Sequence, residues 1–276
     1  SETRNPEVVA LWQDSLYIYG NGTKRLRTID EKVAFCQPYL SVSSTSGQMT
    51  LSYDSYYAKP LTLEYWPIDK ATLRQFSIIK TTLKTKGGYR NHFKLTGLAS
   101  QKVYNYKLFE GESENNTSTK KDSKILVAQS QFLSPPVYSA MGVFNPIKTI
   151  RFALIGDTQY SEMQNLVDHR KAVERIREFS PSLIIGVGDL VSSTYSQEKG
   201  FLPPEMGRWS IFAGAMQPLL RSIPFNTAMG NHEEDGDYYW SVFDFPKPHA
   251  PMIDHYWFQF GSAQFIVLYT GKTQGY

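Results

Sequence analysis

A single cysteine, Cys36, stands in 276 residues, which excludes a disulfide framework and a thiolate metal cluster. No apolar run approaches the roughly 18–20 residues that a membrane-spanning helix needs. Neither sign of charge dominates: 29 Lys+Arg against 26 Asp+Glu argue for no nucleic-acid or membrane partner. The opening Ser1-Glu2-Thr3-Arg4-Asn5-Pro6 has no apolar core and so does not read as a secretory signal. No segment repeats itself. Glycosylation-type triplets at Asn21, Asn115 and Asn116 are too common by chance to place the chain in a compartment.

What the chain has in abundance is aromatic residues, 18 of them tyrosines, and in its first half they sit in short runs with Val, Thr and Leu. Strands are expected at Tyr39–Val42, Met49–Tyr53, Leu61–Trp66, Phe76–Thr81, His92–Leu95, Val103–Phe109 and Ile125–Phe132. Polar or Gly-containing stretches separate them, and Gly111–Asp122 reads as a solvated hairpin tip. About seven short strands at this spacing predict an antiparallel β-sandwich. Leu98 stands six residues before Tyr104, which opens a Tyr-x-Tyr strand. This pair resembles the tyrosine corner of fibronectin-type sandwiches, where a phenol ties the loop to the strand.

The pattern then changes. Ser134-Pro135-Pro136 stops the last strand, and Asn145-Pro146 precedes an alternation of strand and helix. Strands are expected at Ile150–Gly156, Leu183–Val187 and Phe225–Met229. Helices are expected around Leu166–Arg177, ended by Ser180-Pro181, and around Trp209–Leu220, broken near Pro218. The nearly continuous apolar strands imply a parallel sheet covered on both faces, with right-handed crossovers placing the strand ends along one edge. Tyr256–Phe260 and Phe265–Tyr269 predict an added hairpin.

Each parallel strand ends in glycine followed by a candidate metal ligand or catalytic group: Gly156-Asp157-Thr158-Gln159, Gly188-Asp189 and Gly230-Asn231-His232-Glu233. Ligands of open α/β sheets bind beyond the carboxyl ends of the strands. Glycine lets the backbone turn sharply there. Carboxylates converging from separate strands repel, and a divalent cation is the usual remedy. One Gly-Asp is an ordinary turn; three such turns in order, the last reading Gly-Asn-His-Glu, are far more specific.

This set resembles the calcineurin-like metallophosphoesterase superfamily, and a fibronectin III/Ig-like sandwich ahead of a partial α/β metallophosphoesterase domain resembles the purple acid phosphatase layout. The resemblance implies an extension over 1–33, a sandwich over 34–135, a linker over 136–149 and the first half of the catalytic domain over 150–276. It implies two divalent metal ions (Fe, Mn, Zn or Mg), with Asp157 on the first, Asp189 bridging both and Asn231 on the second. His232 is the implied catalytic residue, assisted by Glu233 as its orienting partner. The implied reaction is hydrolysis of a small phosphate mono- or diester by a hydroxide held on the metals, in an extracellular or periplasmic setting.

Two positions depart from the family. Ser192 stands where purple acid phosphatases carry their iron-binding tyrosine, and Gln159 stands where many members carry histidine. The family's later histidine segments have no counterpart up to Tyr276, and His92, His249 and His255 sit in no such motif. His169 is expected at the surface of its helix. The domain is therefore expected to leave an apolar edge and face uncovered for a missing C-terminal segment. The loop Ser192–Gly207, with Tyr195 and Phe201, is the expected local wall of the pocket. A metal-poor binding module and a structural sandwich with a vestigial α/β half are the alternatives to an enzyme.

Overall fold

The structure is a computed structural model that describes residues 8–12, 15–19, 38–55, 60–79, 83–84, 89–111, 124–137, 149–159, 163–191, 205–233, 239, 243, 245 and 255–268. The hairpin tip beyond Gly111, Asn145-Pro146, residues 192–204 of the expected pocket loop, His249 and the three glycosylation-type triplets lie outside the described residues.

In chain order the first half contains β1 (Val8–Trp12), β2 (Ser15–Tyr19), β3 (Tyr39–Val42), β4 (Met49–Ser55), β5 (Leu61–Pro67), β6 (Gln75–Ile79), β7 (Leu83–Lys84), β8 (Tyr89–Leu95), β9 (Val103–Glu110) and β10 (Ile125–Leu133). Strands β1 and β2 pair with each other, and the rest form two antiparallel sheets ordered β3-β4-β8-β7 and β10-β9-β5-β6. Strand periodicity accounts for the core between them. Leu40, Met49, Leu51, Tyr53, Phe93 and Leu95 from one sheet pack with Leu61, Leu63, Tyr65, Tyr104, Tyr106 and Leu108 from the other. The Tyr104 phenol accepts a hydrogen bond from the Ala99 N–H at 2.9 Å and so ties the loop to the strand.

The second half follows as β11 (Phe152–Ile155), α1 (Met163–Phe179), β12 (Leu183–Val187), α2 (Glu205–Leu220), β13 (Phe225–Ala228), β14 (His255–Phe260) and β15 (Ala263–Leu268). Strands β11, β12 and β13 are parallel neighbours in that order, so their carboxyl ends line one edge. Helix α1 stops where Ser180 turns to φ 51° ahead of Pro181. Helix α2 does not break at Pro218; it runs on to Leu220 with the proline inside it.

Both helices cover the same face of the sheet. Val173 of α1 and Phe212, Ala213 and Met216 of α2 share one buried cluster with Ile155, Ile184 and Phe225. On the alternate face Leu154 is 61% and Val187 57% exposed, so the expectation of two covered faces fails in this respect. The β14–β15 hairpin meets the sheet at both edge strands: Phe265 meets Phe152 edge-on at 5.8 Å, and the Tyr256 hydroxyl donates to Thr227 C=O of β13. The expectation of an uncovered apolar face agrees with this arrangement.

His169 is another correction. It is buried between α1 and α2, stacked on Phe212 at 6.0 Å, because its position falls on the seam between the helices. Burial pulls its pKa down from 6.5 to about 4, with a smaller contribution from the Arg170 charge.

The two halves are sewn together through β13. The side chain of Asn226 is fully buried and forms a two-way bond with edge strand β3, accepting from Val42 N–H at 2.9 Å and donating to Val42 C=O at 3.1 Å. Tyr39 and Val42 of β3 belong to the α/β core, and Tyr39 meets Phe243 edge-on. The Tyr106 hydroxyl donates to Arg221 C=O at 3.0 Å, and Gly261 N–H donates to Pro136 C=O at 3.1 Å.

Two outcomes follow. Asn226→Leu leaves both Val42 groups buried without partners and is expected to lower stability by about 2–4 kcal/mol, read as a shifted urea midpoint. An unchanged midpoint removes the role given to this amide. His169 binds its proton more weakly folded than unfolded, so its contribution is intact above about pH 6.5 and is lost as pH falls towards 4. The loss is of the order of 3 kcal/mol. His169→Phe should flatten that part of the stability–pH curve, and an unaltered slope in urea melts at successive pH values speaks against it.

Candidate active site

The three glycine-ended strands deliver their next residues to one place, each by a different device. At the second turn Gly188 itself takes φ +93°. At the first, the left-handed residue is Asp157 (φ 51°) rather than the glycine before it, and Asp189 follows suit at φ 53°. Aspartate tolerates this region better than most side chains, yet it still costs about 1 kcal/mol or more, and strained residues of this kind concentrate at functional sites.

Space, too, requires glycine at these turns. A Cβ on Gly188 would stand 2.8 Å from Gly230 Cα, and one on Gly230 would stand 2.9 Å from Asp189 Cγ. A Cβ on Gly156 would meet Val187 Cγ2 at 2.5 Å. The second and third turns are thus in backbone contact.

Hydrogen bonds then lock the turns. Asp157 N–H donates to Gly188 C=O and Gln159 N–H to Asp189 C=O, both at 3.2 Å, which continues the β11–β12 pairing past the strand ends. The Thr158 hydroxyl donates to Leu190 C=O at 2.9 Å. Across to the third turn, His232 N–H donates to Asp189 Oδ1 at 2.9 Å.

Glu233 does not perform the role expected of it. Its side chain is 3% exposed, and its carboxylate accepts four backbone N–H groups. Oε1 takes Leu190 (2.6 Å) and Val191 (3.2 Å), while Oε2 takes Asp189 (3.0 Å) and Gly230 (2.7 Å). The carboxylate therefore clamps two turns together; both its oxygens are engaged by backbone amides. Burial raises its pKa, and the four amides oppose that rise.

Of the sequence-predicted residues, Asp157, Asp189, Asn231 and His232 all lie on these interlocked turns, Asp157 and Asn231 exposed and the other two half-buried. His92 lies elsewhere, bonded to Ser52 at 2.7 Å in the first half, and His255 is exposed at the start of β14. Sequence reasoning missed the tie from Thr158 and the clamp from Glu233. A threonine after an aspartate carries no signal by itself, and the clamp depends on a chain crossing that only the fold creates.

The donors fit a divalent cation in kind. Asp157, Asp189, Asn231 and Gln159 all offer oxygen, as hard cations prefer. The Gln159 amide oxygen is buried and has no hydrogen-bond partner among the described residues, an arrangement that is costly unless something polar meets it. Among the described residues no group of three His, Cys, Asp or Glu side chains gathers, so the carboxylates need these amides beside them.

Residues 150–273 match the family model for the calcineurin-like phosphoesterase. That segment is a calcineurin-like phosphoesterase domain. The chain is similar in structure to the purple acid phosphatase PPD1 from yellow lupin (Lupinus luteus) seeds, with a TM-score of 0.59 and 17% identity, over 83% of this chain and 43% of that one. It is similar also to PhoD, with a TM-score of 0.53 and 14% identity, over 86% of this chain and 52% of that one. The chain thus spans about half the length of each of these proteins. At these identities the likeness is one of fold, and it covers both halves of the chain. No curated protein sequence matches it. Among the described residues of the calcineurin-like phosphoesterase domain and the sheets before it, no helix is long and apolar enough to cross a membrane.

Within the phosphoesterase domain, Gly230→Ala tests the contact between the turns. The added methyl must displace the Asp189 carboxylate or its backbone, with an expected loss of about 1–3 kcal/mol and weakened Mn²⁺ binding. A melt and a Mn²⁺ titration that both match wild type argue against the close approach.

Proposed function

We propose that this chain carries the front of a metal-dependent phosphoesterase that hydrolyses small phosphate mono- or diesters. The observation that carries this reading is the locking of Asp157, Asp189 and the Asn231-His232 turn onto one sheet edge within a calcineurin-like phosphoesterase domain. On this reading Asp157 and Gln159 hold a first divalent ion, Asp189 is shared between two, and Asn231 serves the second. Such ions supply positive charge for the phosphoryl oxygens and lower the pKa of water towards about 7.

The residues of the chain do the rest. The His232 N–H holds Asp189 Oδ1, which fixes the carboxylate's rotation. The His232 imidazole stands on the same turn, beside where an ester would sit, and serves to stabilise phosphoryl charge or protonate the leaving oxygen, worth about 10²–10⁴-fold. The absence of tyrosine at Ser192 goes against a tyrosinate-bound iron. Mn, Mg, Zn and Fe all suit the donors named.

The first half, over 34–135, we read as a fibronectin III-like sandwich. Its two four-stranded sheets around one core and the Tyr104–Ala99 tie support this. The exposed Leu154 and Val187 face is the natural seat for a further segment of the domain. An extracellular or periplasmic setting fits this layout.

A binding module without catalysis is the second reading, favoured by the absence of a three-membered His, Cys, Asp or Glu group among the described residues. The two are separated by assaying p-nitrophenyl phosphate and its bis ester with Mn²⁺ or Zn²⁺. Enzyme function predicts metal-dependent release of nitrophenol, a fall of about 10²–10⁴-fold in kcat for His232→Ala, and Mn²⁺ binding preserved in that variant. Silence in wild type and variant alike, with either metal, decides for the binder.

A further inference from the structure

We infer that Glu233 is a positioning residue for metal binding, holding the Asp189 and Asn231 turns in register so that both can serve one site. This rests on the metal reading above and goes beyond it by assigning the control of that site to a side chain that is buried away from it.

The geometry is specific. Two segments distant in sequence, 189–191 and 230–233, present four N–H groups to one carboxylate. Two of the candidate ligands adjoin a clamped amide: the Asp189 N–H is itself bound, and Asn231 lies between the bound Gly230 N–H and Glu233. The Gly230-to-Glu233 bond closes the turn from which His232 N–H reaches Asp189 Oδ1. The rotation of the Asp189 carboxylate therefore depends on Glu233 through the turn it closes. Groups that orient metal ligands in this way typically alter affinity by about 10–100-fold when removed.

Glutamine is the telling substitution. Its length is unchanged, but its NH₂ must face either the Leu190 and Val191 amides or the Asp189 and Gly230 amides. Donor then meets donor whichever way the amide turns. Aspartate keeps the charge but is one methylene too short to span both segments.

The test is Mn²⁺ titration calorimetry on the full chain as wild type, Glu233→Gln, Glu233→Asp and Asp189→Asn, each with a metal-free melt. The expected result is binding by wild type, loss in Asp189→Asn, and Kd raised about 10–100-fold in both Glu233 variants well below their melting temperatures. A purely structural Glu233 would lower the melting temperature and leave Kd within about twofold, and that outcome overturns the inference.

Should the variants not fold, wild type alone decides, because coupling is reciprocal. If the clamp tightens metal binding, Mn²⁺ must slow amide exchange at Leu190, Val191 and Gly230; unchanged exchange at saturating Mn²⁺ overturns the proposal. Failure of wild type to bind Mn²⁺ is a different result and takes the metal reading down with the inference.

Discussion

The site depends on two glycine backbones being able to touch. Gly188 and Gly230 approach so closely that a single added carbon on either would collide with the opposite turn. Only at this separation can one carboxylate, Glu233, collect amides from both turns, and only then does His232 N–H reach Asp189. The contact is backbone on backbone, so no rearrangement of side chains can substitute for it. Left-handed conformations at Asp157 and Asp189 show that the turns are held under some strain, which the surrounding hydrogen bonds sustain.

A second constraint reaches the site from the far half of the chain. Strand β13 carries the Gly230 turn and is gripped on its open side without a fourth parallel strand among the described residues. Asn226 mimics a strand partner for Val42, and the C=O of Thr227 accepts both the Tyr239 hydroxyl at 2.7 Å and the Tyr256 hydroxyl at 2.8 Å. Burial drives both phenols well above their usual pKa, so they stay protonated as donors at any ordinary pH. The antiparallel half is thus part of the scaffold that fixes where the third turn ends.

Apolar surface remains exposed on the described strands. Leu154, Val187, Ile266 and Leu268 are each more than half exposed on strands whose other faces are packed. A sheet face of this kind usually lies under another layer. Helices α1 and α2 cover only one side because both crossovers run in the same direction along the strand order.

Local chemistry was enough, from the chain alone, to place the strands from Tyr39 to Leu133 apart from the two-residue β7, the β–α alternation after Phe152, and the three glycine-ended turns. Alternation of apolar residues and Gly or Pro punctuation act over a few residues, and that is all these elements need. The same reading put His169 on the surface, broke α2 near Pro218 and gave Glu233 to the histidine beside it. The first and last of these concern a partner far away in sequence: Phe212 for His169, and residues 189–191 for Glu233. Residue types near one another in the chain thus announced which chemistry was available. Which oxygen meets which amide, and which glycine must yield space rather than angle, was decided by tertiary structure, because those contacts exist only once distant turns are pressed together.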